Sequence, residues 1–306
     1  MWLALRRLIL IQIRPMFYPK RLFFIIFCFI MMHDLNAQNA YKIYSTAEKR
    51  EIKLDEIPAI LKNKDVIFWG EEHNDSIGHD LENQLYQLLN SKQPYALGME
   101  MFESDVQEVM DEYLQDLIRP DYLISAGRAW PNYTDYQPLV EYAKVHQLPV
   151  IATNAPKRYV SAVTKNGLTF LPKFNSLALS YLAPLPIHVD TGAYQHKFEN
   201  IMGGHEALAA SHIFESQNLW DATMAWHIAT YLQKNPTSKI FHLNGGFHSD
   251  EKLGIYTQLE SYLQRLKMTK QIGNVSCSAD ANWNNPDWQT YLNRGDIIIL
   301  TQPKSK

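Results

Sequence analysis

The chain has 306 residues, 46% of them hydrophobic and 20% charged, with a formal net charge of −3. That acidic balance lacks the basic face a nucleic-acid partner needs and so argues against one. The length suits one elaborated domain, or one domain with a helical cap.

The N-terminal segment reads as a targeting signal. Lys20 and Arg21 precede the uncharged run Leu22–Met32, and a small residue follows at Ala37. A basic start, a short apolar stretch and a small residue make a secretory signal peptide over residues 1–37. The run is too short for a comfortable membrane span. The expected product is exported, periplasmic or associated with the cell envelope. Bulky Phe27 before Cys28 argues against lipid attachment there. Cys28 would leave with the signal, so Cys277 has no partner for an intrachain disulfide.

Beyond the signal, hydrophobic runs alternate with helical patterns. Val66–Trp69, Ala96–Met101, Pro149–Thr153, Lys239–Leu243 and Ile297–Leu300 read as strands, and Val275 marks another. Ile77, Leu81, Leu85 and Leu88 recur on one helical face, as do Val106, Met110 and Leu114. The expected fold class is therefore α/β, a mostly parallel sheet with flanking helices. Residues 38–306 form a single domain in this reading. Helical insertions at about 104–146 and 155–238 form a cap over the strand ends.

Two stretches carry the chemistry, FWGEEH (Phe68–His73) and LNGGFH (Leu243–His248). Each is an apolar run that meets glycine and reaches a histidine three residues later. The glycine would allow a sharp turn at a strand end. Ligands of open α/β sheets gather outside the carboxyl ends of the strands, so His73 and His248 are expected in one pocket. Glu71, Glu72, Asp75 and Asp250 stand beside them as oxygen ligands or acid/base groups.

Other positions are more ambiguous. Glu100 lies within an apolar run, either buried and paired or capping the helix near Ser104. Asp221 opens the apolar stretch Leu219–Leu232, as its cap or as a carboxylate aimed into a polar pocket. His227 faces the other way and reads as a packed core residue. His79, on the helix after GEEH, can lean over its first turn. His205 and His212 read as partly exposed helix residues. Asn154, at the end of the third strand, can donate to a ligand. Lys157 and Arg158 follow it as possible partners of an anion.

In order, GEEHND, LGMEMFES, AWPNYTDYQPLVEYA, IATNAP, LWDATMA and NGGFHSD resemble the ChaN-like haem-binding proteins. That family belongs with the Tiki/TraB and erythromycin-esterase-like proteins, and the likeness spans about Val66 to Ile255. The resemblance implies an α/β core with a helical cap, haem as cofactor and a role in iron acquisition. It implies partners such as an outer-membrane uptake system, or a second copy of the chain. Carried onto this sequence, the superfamily's polar site is Glu71, His73, Glu100 and His248, with Asp221 close by. A haem site would draw on Tyr133, Tyr136, His79 and Asn154, since ferric iron accepts phenolate as well as imidazole.

The rival reading is a Tiki-like, metal-dependent hydrolase. Its divalent metal would sit on the same His/carboxylate set, with Glu72 or Glu100 as general base. A third reading is an inert scaffold that binds a partner protein; the charged groups gathered at strand ends argue against it.

Overall fold

The structure is a computed structural model that describes residues 40–203 and 212–304. The expected signal segment 1–37 and His205 lie outside the described residues. An eight-stranded sheet runs in the order β2-β1-β8-β7-β3-β6-β4-β5. Its strands are β1 (Tyr41–Ser45), β2 (Arg50–Ile52), β3 (Val66–Glu71), β4 (Tyr95–Glu103), β5 (Val150–Asn154), β6 (Lys239–Gly245), β7 (Ile272–Ala279) and β8 (Ile297–Thr301). From β8 to β5 every pair is parallel. The β1–β2 and β1–β8 pairs are antiparallel and form one edge. The sequence reading missed that edge, because Tyr41–Ser45 and Arg50–Ile52 are short and partly polar.

The longer helices are α1 (Ser76–Asn90), α2 (Gln107–Leu114), α3 (Pro120–Ala126), α4 (Tyr133–Val145), α5 (Lys157–Asn166), α6 (Ala193–Ile201), α7 (Ile213–Lys234) and α8 (Ile255–Arg265). Strands covered on both faces read as continuous apolar runs, because alternate side chains enter different cores. Ile67 and Trp69 of β3 join Leu81, Leu85 and Tyr86 of α1. Val66 and Phe68 point the opposite way, toward Leu219, Ala225 and Ile228 of α7 and Leu259 of α8.

This alternation sorts the polar residues too. Glu71 continues the Trp69 side of β3 and faces α1 and α4. Glu100, in β4, falls on the α7 side. The pairing of β4 with β5 slips between Met99↔Ala152 and Glu103↔Asn154, leaving four steps on β4 against two on β5. Such a bulge re-aims a side chain at the rim of a sheet. Glu100 sits inside it.

Candidate active site at the strand ends

β3 and β6 are parallel neighbours, with Glu71 level with Gly245. Both histidine motifs therefore end at the same edge of the sheet. His73 follows β3 and His248 lies in the single turn Gly246–Ser249 after β6. The glycines act by close approach, which differs from the turn expected of them. Gly70 lies within β3, where a Cβ would meet Ser249 Oγ at 2.8 Å and Gly246 Cα at 3.0 Å. A Cβ on Gly245 would meet His73 Nε2 at 2.9 Å and Glu100 Oε2 at 3.8 Å.

On the α7 side, the buried His248 Nδ1 donates to Asp221 Oδ1 at 2.6 Å. Its Nε2 lies 3.6 Å from Glu100 Oε1. Glu100 Oε2 accepts the Gly245 N–H at 2.7 Å. Asp221 Oδ2 also accepts Tyr194 Oη at 2.6 Å, and Gln217 Nε2 donates to that phenol at 2.9 Å. Burial alone would lower the His248 pKa, but the charges of Glu100 and Asp221 outweigh it and raise it to about 9. Burial raises the Asp221 carboxyl, against the pull of His248 and Tyr194.

Asp221 is no cap. Its helix begins at Ile213, so this fully buried carboxylate sits mid-helix and points into the polar pocket. Glu100 does not cap either; it stays within β4.

On the α1 side, Glu71 is buried and Oε1 accepts from His73 Nδ1 at 2.8 Å and Tyr136 Oη at 2.6 Å. Burial would raise the Glu71 carboxyl, yet hydrogen bonds from His73, Glu82 and Tyr136 hold it below the ordinary value. For His73, burial is likewise outweighed, by the Glu71 hydrogen bond and the charges of Glu100 and Glu71, and its pKa rises. Its side chain is 42% exposed. His73 thus stands between the two polar clusters, feeling the charge of Glu100 as well as Glu71.

An open cleft of about 790 Å³ lies over this edge, lined by residues that include Glu71, Glu72, His73, Asp135, Phe247 and Lys304. Exposed Glu72 is held above the usual carboxylate range by partial burial and by Asp75. The Trp130 ring meets His73 edge-on at 5.0 Å.

The residues named for haem fare differently from His73. Tyr136 is fully buried and committed to Glu71. Tyr133 is buried edge-on against Phe102. Burial raises both phenols well above their usual value, which opposes a phenolate. His79 is buried, with Nδ1 3.1 Å from Glu82 Oε1 and Nε2 3.2 Å from the His73 carbonyl. Asn154 is buried and its Oδ1 accepts the Ala155 N–H. All four are buried and absent from the lining of the cleft.

His227 is packed against the Tyr181 carbonyl at 3.2 Å. His212 pairs with Glu215 at 2.6 Å. Arg158 pairs with Asp105 and stacks on Tyr159. Asp250 turns toward Ser276 Oγ at 3.0 Å. Glu82, Tyr194 and Gln217 escaped the sequence reading. Glu82 carried a signal: it lies three residues after His79, on the α1 face that also buries Leu85 and Tyr86. Tyr194 and Gln217 carried none, since only tertiary packing brings them to Asp221.

Among solved structures, the fold is similar to ChaN of Campylobacter jejuni, described by its cofacial haem binding. Identity is 18%, coverage 86% of this chain and 98% of that one, and the TM-score 0.62. The erythromycin esterase EreC in its open conformation overlaps at 10% identity, covering 86% of this chain and 83% of its own, with a TM-score of 0.45. The type III effector HopBA1 overlaps at 11% identity, covering 82% and 94%, with a TM-score of 0.44. A search of curated protein sequences gives no match. The family profile described as haem-binding uptake, Tiki superfamily, ChaN matches residues 57–259, from ahead of β3 into α8, and the chain therefore belongs to that family.

Proposed function

We propose that the protein is an exported haem-binding protein of iron acquisition, with His73 as the iron ligand. Haem supplies a ferric iron that accepts an imidazole. The observation that carries the reading is the setting of His73. It is a half-exposed imidazole at a cleft, with Nδ1 oriented by the Glu71 carboxylate at 2.8 Å. A carboxylate on one ring nitrogen fixes the tautomer and makes the other nitrogen the better metal donor. The cleft volume falls within the range of small-molecule sites, about 300–1,000 Å³. Phe247 offers an aromatic face and Lys304 a cation for a propionate, while Trp130 packs edge-on at His73. Export is supported by Lys20 and Arg21 ahead of the apolar run Leu22–Met32. Uptake through an outer-membrane system and pairing with a second copy belong to the same proposal.

Hemin titration tests it. The purified protein should develop a Soret band that saturates near stoichiometric hemin, and His73→Ala should weaken binding at least tenfold. A spectrum indistinguishable from free hemin would end the proposal.

One observation favours the rival. Asp221, His248 and Glu100 form a buried acid/base array, and Glu72 lines the cleft with His73. A metal-dependent hydrolase would use His73, His248 and Glu100 around the ion, with Glu72 as base. Hydrolysis of an ester or peptide probe that requires added manganese or zinc, and disappears in His248→Ala, would favour it.

A further inference from the structure

The strongest feature outside the cleft lies beneath it, between β3, α1 and α4. We infer that Glu71, His79 and Glu82 form a buried binding site for one divalent transition-metal cation, adjoining the His73 cleft and sharing Glu71 with it. This goes beyond the haem reading and does not depend on it.

The three side chains are 4%, 6% and 0% exposed. One donor atom from each lies within 4.8 Å of the others. His79 Nδ1 is 3.1 Å from Glu82 Oε1 and 3.6 Å from Glu71 Oε2. Neighbouring donors around an ion bound at about 2.1 Å sit roughly 3.0–3.4 Å apart, in octahedral or tetrahedral arrangement. The 3.1 Å spacing lies in that range and the 3.6 Å spacing just above it.

Two further observations point to a cation. Glu71 Oε2 and Glu82 Oε2 are buried, and neither meets an N–H or O–H donor unless Glu82 itself is protonated. Among the described residues, the ion-pair partners of these two carboxylates are histidines only, with no Lys or Arg. Buried carboxylates need a paired charge or an ion. The histidine is also already oriented. Its Nε2 lies 3.2 Å from the His73 carbonyl, so Nε2–H is the donor there. The Nδ1 edge of the same ring faces two carboxylates. That arrangement is repulsive unless a proton or an ion lies between them. A backbone carbonyl holding the far nitrogen is the usual support of a metal-bound imidazole.

Two carboxylates and one imidazole suit manganese, iron or zinc. The ion would also stiffen the neighbouring cleft. Glu71 would reach the ion through Oε2 and His73 through Oε1.

The competing solution is a proton. A protonated Glu82 could share its hydrogen with Glu71, and Glu82→Gln separates the cases, because glutamine mimics the protonated carboxyl. Chelator-treated protein would be titrated with zinc and with manganese, by calorimetry and by elemental analysis after desalting. The expected result is one ion per chain, bound at least tenfold more weakly by Glu82→Gln and as in wild type by His248→Ala. No tightly bound ion would overturn the proposal. So would an ion kept by Glu82→Gln, or one lost in His248→Ala but kept by Glu82→Gln, which would place it in the cleft. If Glu82→Gln does not fold, anomalous diffraction from manganese-soaked wild-type crystals decides. A peak between Glu71, His79 and Glu82 upholds the site, and its absence there overturns it.

Discussion

His248 Nδ1 and Asp221 Oδ1 lie 2.6 Å apart, tying the turn after β6 to the middle of α7. Both are buried, and the pair sets how the site responds to pH. The His248 pKa is raised from 6.5 to about 9, so the folded protein holds that proton more tightly than the unfolded chain. The stabilisation is fully present below pH 6.5 and is lost as pH rises through 9. Burial raises Asp221 as well, which offsets part of the gain. Wild type should therefore lose melting temperature between pH 7 and 9.5 more steeply than His248→Gln. Parallel curves would show that His248 is neutral in the folded state.

Removing the carboxylate should be worse than removing the charge response. Asp221→Ala leaves a buried imidazolium without its partner and should cost about 3–5 kcal/mol. Tyr194 Oη and Gln217 lose their anchor in the same step. Urea melts would measure it, and a cost under about 1 kcal/mol would mean that the pair is not formed.

Tyr136→Phe separates two roles for a cap tyrosine. The phenol donates to Glu71 Oε1 at 2.6 Å and is fully buried. Losing that donor should cost about 1–3 kcal/mol of stability. The hemin-induced Soret band should remain, because the phenol does not face the cleft. A variant of unchanged stability that no longer binds hemin would make Tyr136 the ligand in place of His73.

Gly245 and Gly70 test close approach at the two motifs. Alanine at 245 places a methyl 2.9 Å from His73 Nε2, the end of a side chain that can swing outward. Stability should fall by less than about 1.5 kcal/mol, while hemin binding weakens as His73 moves. Alanine at 70 meets Ser249 Oγ at 2.8 Å and the Gly246 backbone at 3.0 Å. That contact cannot yield so easily and should cost about 1–3 kcal/mol. Equal stability costs at the two positions would refute the difference in their surroundings.

The parallel strands could be read from sequence because they are buried on both faces, and burial on both faces leaves uninterrupted runs such as Val66–Trp69 and Ile297–Leu300. The strand-end histidines were visible for the same reason, since an apolar run that stops at glycine marks a rim. What stayed hidden depends on contacts between distant segments. Asp221 looked like a cap because the polar stretch Glu215–Asn218 concealed that α7 begins at Ile213. The bulge that turns Glu100 to Gly245 is a matter of register between β4 and β5, which composition does not record. The phenols of Tyr133 and Tyr136 promised a ligand by chemistry, and helix packing enclosed them.

Glu100→Gln carries the last prediction, because Glu100 acts on both histidines. Its Oε2 accepts the Gly245 N–H, a role the amide oxygen of glutamine can keep. Its charge raises the His248 pKa more than that of Asp221 does, and it also contributes to raising His73. Neutralising it should lower the His248 pKa, measured by NMR of the imidazole ring, by at least one pH unit while leaving the fold intact. The pH range over which stability is lost should then shift downward by the same amount. Hemin binding through His73 should change less than about threefold, since Glu71 still orients that ring at 2.8 Å. A metal-dependent hydrolase would respond differently, losing its activity with the carboxylate. Intact hydrolysis by Glu100→Gln would remove the rival reading, and hemin binding lost together with the Glu100 charge would remove His73 as an independently oriented ligand.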